Sequence, residues 1–198
     1  MSAEAERIDG SRRHFLLVAT TVTGAVGAGL AAVPFLASWR PSARAQALGA
    51  PVEVDVSKLE PGQLIKVEWR GKAIFVVHRT PDMIAKLDQM TDLLRDPDSS
   101  ESEQPEFAEN VARALKPEYL VLIGVCTHLG CAPLSRFEPG DPELGATWPG
   151  GFYCPCHGSK FDLSGRVFKD VPAPTNLAVP PYRFLADNRI LIGDTGAA

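Results

Sequence analysis

The chain has 198 residues, 45% hydrophobic and 22% charged, which suits one modest domain with an appendage and excludes a large multidomain enzyme. The formal net charge of −4 is unevenly spread: residues 1–45 carry five arginines against three acids, and the rest carries fifteen basic against twenty-one acidic residues. An acidic main domain lacks the clustered Lys/Arg footprint that a nucleic-acid partner demands.

The first feature in chain order is Ser-Arg-Arg-His-Phe-Leu at 11–16. Arg12 and Arg13 directly before an apolar run form a twin-arginine export pattern, a route that carries folded proteins. Residues 1–14 therefore read as a cytoplasmic segment, with His14 incidental to it. From Phe15 to Trp39 there is no charged residue. About 20 apolar residues span the ~30 Å hydrocarbon core, so 15–39 predicts one transmembrane helix with a little length to spare for tilt. Trp39 and Arg40 follow as an interface anchor. The alternative is a cleaved leader with Ala43-Arg44-Ala45 as its site; the length of the run favours a retained helix. The small residues of 40–50 read as a linker, either a passive tether or a hinge, and composition does not choose between them.

Residues 51–198 read as β-rich. Val52, Val54 and Val56 alternate with polar residues, as in a half-buried strand. Leu64–Trp69 and Lys72–Val77 predict a hairpin around Arg70-Gly71. Pro81 opens a short helix carrying Met83, Ile84 and Leu87. The acidic stretch 92–109 reads as a solvated insertion. Tyr119–Val125 is an apolar run of strand length. Two further strands, from Tyr182 and from Arg189, flank Asp187-Asn188. Short strands between Gly/Pro turns predict an all-β antiparallel sandwich. No internal repeat is visible.

All four cysteines lie between 126 and 156, in two boxes that also hold two of the four histidines. The first is Cys126-Thr-His128-Leu-Gly-Cys131; the second is Cys154-Pro-Cys156-His157-Gly-Ser159. Two thiolates and two neutral imidazoles suit zinc, or the [2Fe–2S] centre in which two His replace two Cys on one iron. His two residues after Cys departs from the usual zinc-finger spacing, and zinc leaves two cysteines without a role. His78, at a strand end, reads as structural.

Both boxes resemble those of the bacterial Rieske iron–sulfur subunit of ubiquinol–cytochrome c reductase, the cytochrome bc complex. The resemblance extends from the twin-arginine anchor through Val77-His-Arg-Thr80 to Pro172-Ala-Pro174 and Asn176-Leu177, most of the chain. It implies a Rieske-type antiparallel β-sandwich head, with a cluster-binding part at about 124–175, behind one N-terminal membrane helix. It implies that Cys126 and Cys154 hold one iron of a single [2Fe–2S] cluster and His128 and His157 the other. Cys131 and Cys156 would then form a disulfide, which suits an oxidising periplasm. Imidazole in place of thiolate makes such clusters easier to reduce, at roughly −150 to +300 mV against about −400 mV for plant-type ferredoxins.

The resemblance also assigns tuning positions. Ser159 matches the hydroxyl that donates to a bridging sulfide. Phe161 stands where many relatives carry a Tyr donating to a cysteine sulfur, which implies a lower potential here. Leu129 and Gly130 belong to the tip that meets the quinone pocket, and Pro172 and Pro174 to a third loop over the cluster. His157 would contact ubiquinol and take its proton. The head would then swing on the linker and pass the electron to a c-type cytochrome. The partners implied are cytochrome b and a c-type cytochrome in a dimeric assembly at the inner membrane, with the head in the periplasm and proton translocation as the outcome. A soluble Rieske ferredoxin lacks the anchor, and a Rieske oxygenase needs a further iron site for which His14 and His78 do not suffice. The small subunit of a periplasmic arsenite oxidase shares export and cluster; Val77–Thr80 and the Pro172-Ala-Pro174 loop favour the quinol complex.

Overall fold

A computed structural model describes residues 9–194, which divide into two compact units at Ala47/Leu48. Residues 1–8 of the export segment lie outside the described residues. In the first unit, helix α1 runs Gly10–Ser38. Asp9 caps it: its carboxylate accepts the Ser11 and Arg12 backbone N–H groups. Arg12 and Arg13 thus stand on the first helical turns rather than in a separate segment before the helix. At 29 residues α1 is about 44 Å long, and no residue of it is buried. By length and composition α1 is long and apolar enough to cross a membrane.

The linker contains one regular element. Ala43–Gly49 form a short helix, α2, begun by the Ser42 hydroxyl, which accepts the Ala45 N–H. Alanine's helix propensity explains what a search for apolar periodicity passes over.

Among the described residues of the head, nine strands form three antiparallel three-stranded sheets. The first has order β1-β9-β8, from Val52–Asp55, Arg189–Ile192 and Tyr182–Ala186. The second is β2-β3-β4, from Leu64–Trp69, Lys72–His78 and Tyr119–Ile123. The third is β5-β6-β7, from Leu134–Arg136, Gly151–Tyr153 and Lys160–Phe161. Central strand β3 buries Ile74, Phe75, Val76 and Val77 in succession, because its neighbours cover its edges and the core covers both faces. One continuous core joins the sheets, from Val54 and Ile190 through Phe75 and Leu122 to Phe152 and Phe161. Helix α3, Pro81–Ala85, is capped by the Thr80 hydroxyl, which accepts the Met83 N–H. His78 is structural: its Nδ1 lies 2.6 Å from the Leu59 carbonyl and its ring stacks on Tyr119.

The loop after β7 is fixed by charge inside the protein. Asp162 is fully buried, accepts the Ser164 and Arg166 backbone N–H groups, and pairs with Arg166 at 2.7 Å. Arg79 reaches Ser164 and the carbonyls of Leu163 and Pro117, and Arg113 reaches the carbonyls of Ser164 and Gly165. Burial pulls both guanidinium pKa values down to about 10, with the Asp162 carboxylate opposing.

The stretch 92–109 is solvated in part: its acids other than Asp96 are exposed, while a few residues turn inward. Leu94 bridges Phe168, and Asp96 and Ser99 are buried. Asp96 accepts the Ser102 hydroxyl at 2.6 Å and the Ser100 N–H at 2.8 Å. Asn176 donates to the Asp96 carbonyl and to Ser99 Oγ. Acid and amide are inside because each is hydrogen-bonded there.

Candidate metal centre

The third sheet carries the two boxes at its ends. Cys126-Thr-His-Leu-Gly-Cys131 follows β4 and leads to β5; Cys154-Pro-Cys-His-Gly-Ser159 joins β6 to β7. Both loops close in the same way. Cys126 N–H donates to the Cys131 carbonyl and Gly130 N–H to the Cys126 carbonyl, at 2.7 and 3.0 Å. Cys154 N–H donates to the Ser159 carbonyl and Gly158 N–H to the Cys154 carbonyl, at 2.8 and 2.9 Å. Each turn needs a left-handed residue at its fifth position, which Gly130 (φ 82°) and Gly158 (φ 77°) supply. The boxes are thus a structural repeat. The sequence hides it, because the histidine is third in one box and fourth in the other.

Cys131 and Cys156 form a disulfide that ties the loops together. Cys126 and Cys154 are free and buried. The sulfurs of Cys131, Cys154 and Cys156 lie within 4.8 Å of one another, but two of them are spent in the bridge, so this trio is no metal site. The thiol pair is Cys126 with Cys154, which interact directly. Burial pushes the Cys126 thiol up; the His128 N–H works against the rise, the Cys154 thiol adds to it, and the Ser159 hydroxyl opposes it. Two buried thiols are costly to ionise without a cation between them.

The rings of His128 and His157 meet edge to face, with centroids 4.8 Å apart. His128 Nδ1 is buried and has no hydrogen-bond partner. A buried imidazole nitrogen left unpaired, beside a second imidazole and two buried thiols, is an acceptor set for soft or borderline metal. The donor chemistry fits a [2Fe–2S] cluster with mixed Cys/His ligation. His157 is exposed, and Leu129 beside His128 is 70% exposed.

A third loop meets the other two. Ala173 N–H donates to Ser159 Oγ at 3.0 Å, and Thr127 Oγ1 donates to the Thr175 carbonyl at 2.7 Å. Pro172 and Pro174 are exposed, whereas Ala173 between them is buried. Phe161 is fully buried in the core and its partner across the sheet is Phe152. The contribution of Thr127 was not visible in the sequence: a hydroxyl between two candidate ligands carries no periodic or spacing signal.

Comparison with known proteins agrees with this geometry. The family model "Ubiquitinol-cytochrome C reductase Fe-S subunit TAT signal" matches residues 2–42, and "Rieske [2Fe-2S] domain" matches residues 51–182. The ubiquinol-cytochrome c reductase iron-sulfur subunit of Allochromatium vinosum is 58% identical over 195 residues, covering 98% of this chain and 94% of that protein. Its counterpart from Rhodospirillum rubrum is 46% identical, covering 93% of each chain. That from Blastochloris viridis is 44% identical, covering 96% of this chain and 97% of its own. With two buried thiols, two facing imidazoles and a bridging disulfide behind the matches, this chain belongs to the Rieske iron–sulfur subunits of ubiquinol–cytochrome c reductase, and its cofactor is one [2Fe–2S] cluster.

Proposed function

We propose that the head carries single electrons from ubiquinol, at a cytochrome b partner, to a c-type cytochrome, and that Cys126, Cys154, His128 and His157 are the four cluster ligands. The observation that carries this reading is the pairing of two free buried thiols with two imidazoles, one of which is exposed.

When bound, the cluster supplies one-electron oxidation and reduction at a potential raised by its neutral ligands. The residues of the chain do the rest. His157, on the surface, is placed to accept a hydrogen bond from the quinol hydroxyl and then its proton. His157 would hold that proton at the imidazole nitrogen turned away from the metal. The exposed Leu129 side chain gives the tip an apolar surface suited to excluding water from a quinone pocket. The disulfide and the Pro172–Pro174 loop keep the ligand loops in register while docking partners change.

Residues 15–39 would cross the inner membrane once, with 1–14 in the cytoplasm, 40–50 as the hinge, and 51–198 as a periplasmic head. The complex would be a dimer that moves protons across the membrane.

The test uses the full chain in native membranes. Reduction should give an EPR spectrum with the low average g value of mixed His/Cys ligation, and b- and c-type haem should co-purify. His157→Ala should abolish the spectrum. An EPR-silent protein with stoichiometric zinc would overturn the reading.

A further inference from the structure

Resting on the ligand assignment above, we propose that Cys154 has a second chemistry: once released from iron, its thiol exchanges with the neighbouring disulfide, forming Cys131–Cys154, freeing Cys156 and closing the site to a new cluster.

The three sulfurs stand together. Cys131 and Cys156 are bridged, and Cys154 Sγ lies within 4.8 Å of both bridge sulfurs. Among the described residues, the group that holds both bridge sulfurs includes Cys154 and not the second free thiol, Cys126. The two free thiols therefore differ, although the sequence presents them as equals. Exchange needs a thiol beside a disulfide and no further reagent. Placement at this range replaces a bimolecular encounter by rotation of one side chain. The backbone need not move: Cys154 N–H stays on the Ser159 carbonyl, and the Cys131 carbonyl keeps the Cys126 N–H.

The step balances within the chain. As the Cys154 Sγ–Cys131 Sγ bond forms, the Cys131 Sγ–Cys156 Sγ bond breaks. The electron pair leaves with Cys156 Sγ, which takes up the proton that Cys154 gave up. One disulfide and two thiols stand on each side, so no oxidant or reductant is consumed.

Attack falls on Cys131 rather than on Cys156 for two reasons. Attack on Cys131 expels Cys156, which is exposed, so the leaving thiolate is hydrated; attack on Cys156 expels the half-buried Cys131. A Cys154–Cys156 bridge would also close a small ring over Pro155, whose φ is fixed. The favoured product still ties the two boxes together, but one of the four ligands is consumed. On an oxidising side of the membrane, loss of the cluster thus becomes one-way until a thiol reductant acts.

The experiment uses the full chain, purified as the holoprotein in detergent. Its cluster is withdrawn by a chelator on mild warming, at one pH and without oxygen. Samples are acid-quenched, alkylated with N-ethylmaleimide and mapped by tandem mass spectrometry without reduction. At the start the label should sit on Cys126 and Cys154. It should then pass from Cys154 to Cys156, with Cys126 labelled throughout and the number of labels per chain constant. A Cys131–Cys154 cross-linked peptide should rise in step. The same chain in guanidinium supplies the pattern of unguided exchange. A Cys131–Cys156 bridge that persists with the label on Cys154 overturns the inference. Bridges to Cys126, in the pattern of the denatured chain, overturn it too, because unfolding and not the placement of Cys154 then drives exchange. A falling number of labels marks oxidation in place of exchange and likewise overturns it. Failure of the ligand assignment reads differently: Cys126 or Cys154 would be alkylated in the holoprotein, before any chelator, with the Rieske EPR spectrum intact.

Discussion

At the scale of single residues, the site depends on which atoms are left without partners. The orphaned Nδ1 of His128 and the free buried thiols of Cys126 and Cys154 are the atoms that a bound cluster would complete. Phe161 is the counter-case, a buried ring with no donor, at the position where the resemblance implies a Tyr bonded to a cysteine sulfur. Phe161→Tyr should therefore raise the midpoint potential. A neutral hydrogen bond is worth about 1 kcal/mol net, and 59 mV corresponds to about 1.36 kcal/mol for one electron, so the rise should be on the order of 40 mV. Redox titration followed by EPR measures it; an unchanged potential would show that the added hydroxyl finds no sulfur. The two Cys/His boxes were legible in the sequence from residue type and spacing, whereas the roles expected of Ser159 and Phe161 came with the resemblance. Thr127 was not legible, since it acts on a backbone carbonyl, and any residue type can present one.

At the scale of elements, legibility followed length. The β2–β3 hairpin, the β4 run and the β8–β9 hairpin are long enough to show pattern and turn chemistry, and the structure has each in place. β5 and β7 have three and two residues and carry no periodicity. In the 92–109 stretch composition was right about the exposed acids and missed only Asp96, because it is blind to the hydrogen bonds that bury that carboxylate. The same scale governs the ligand loops. Each is a single turn closed by two backbone bonds, and Cys131–Cys156 is the covalent link between them, across 25 residues of sequence. Loop-closure entropy for that separation corresponds to about 3–4 kcal/mol. Cys131→Ser should lower the unfolding free energy of the head by roughly that amount, measured by guanidinium titration. It should also speed loss of the cluster on warming, followed by the visible absorbance. A variant with native stability would mean that the three hydrogen-bonded loops suffice without the bridge.

At the scale of the whole molecule, the chain is two units of different composition. α1 is long and apolar enough to cross a membrane, whereas the head has its own continuous core. The short helix α2, seven residues long, straddles the boundary at Ala47/Leu48. Isolated helices shorter than about 12 residues are marginal in water, so α2 costs little to melt. Seven residues span about 10 Å as helix and about 23 Å extended. Melting would add roughly 12 Å of reach without touching α1 or the core of the head, a physical basis for the hinge reading of residues 40–50. Replacing Ala45, Gln46 and Ala47 by three prolines removes the helical state and stiffens the extended one. Quinol-driven reduction of the c-type cytochrome should then slow by on the order of tenfold, because a conformational step becomes limiting. The midpoint potential and EPR spectrum should stay native, since no residue of the metal centre is touched. Stopped-flow reduction of c-type haem reads the first quantity and redox titration the second. Native rates in the triple-proline chain would rule out helix–coil exchange as the source of reach. A changed potential would mean that the linker acts on the cluster rather than on the path of the head.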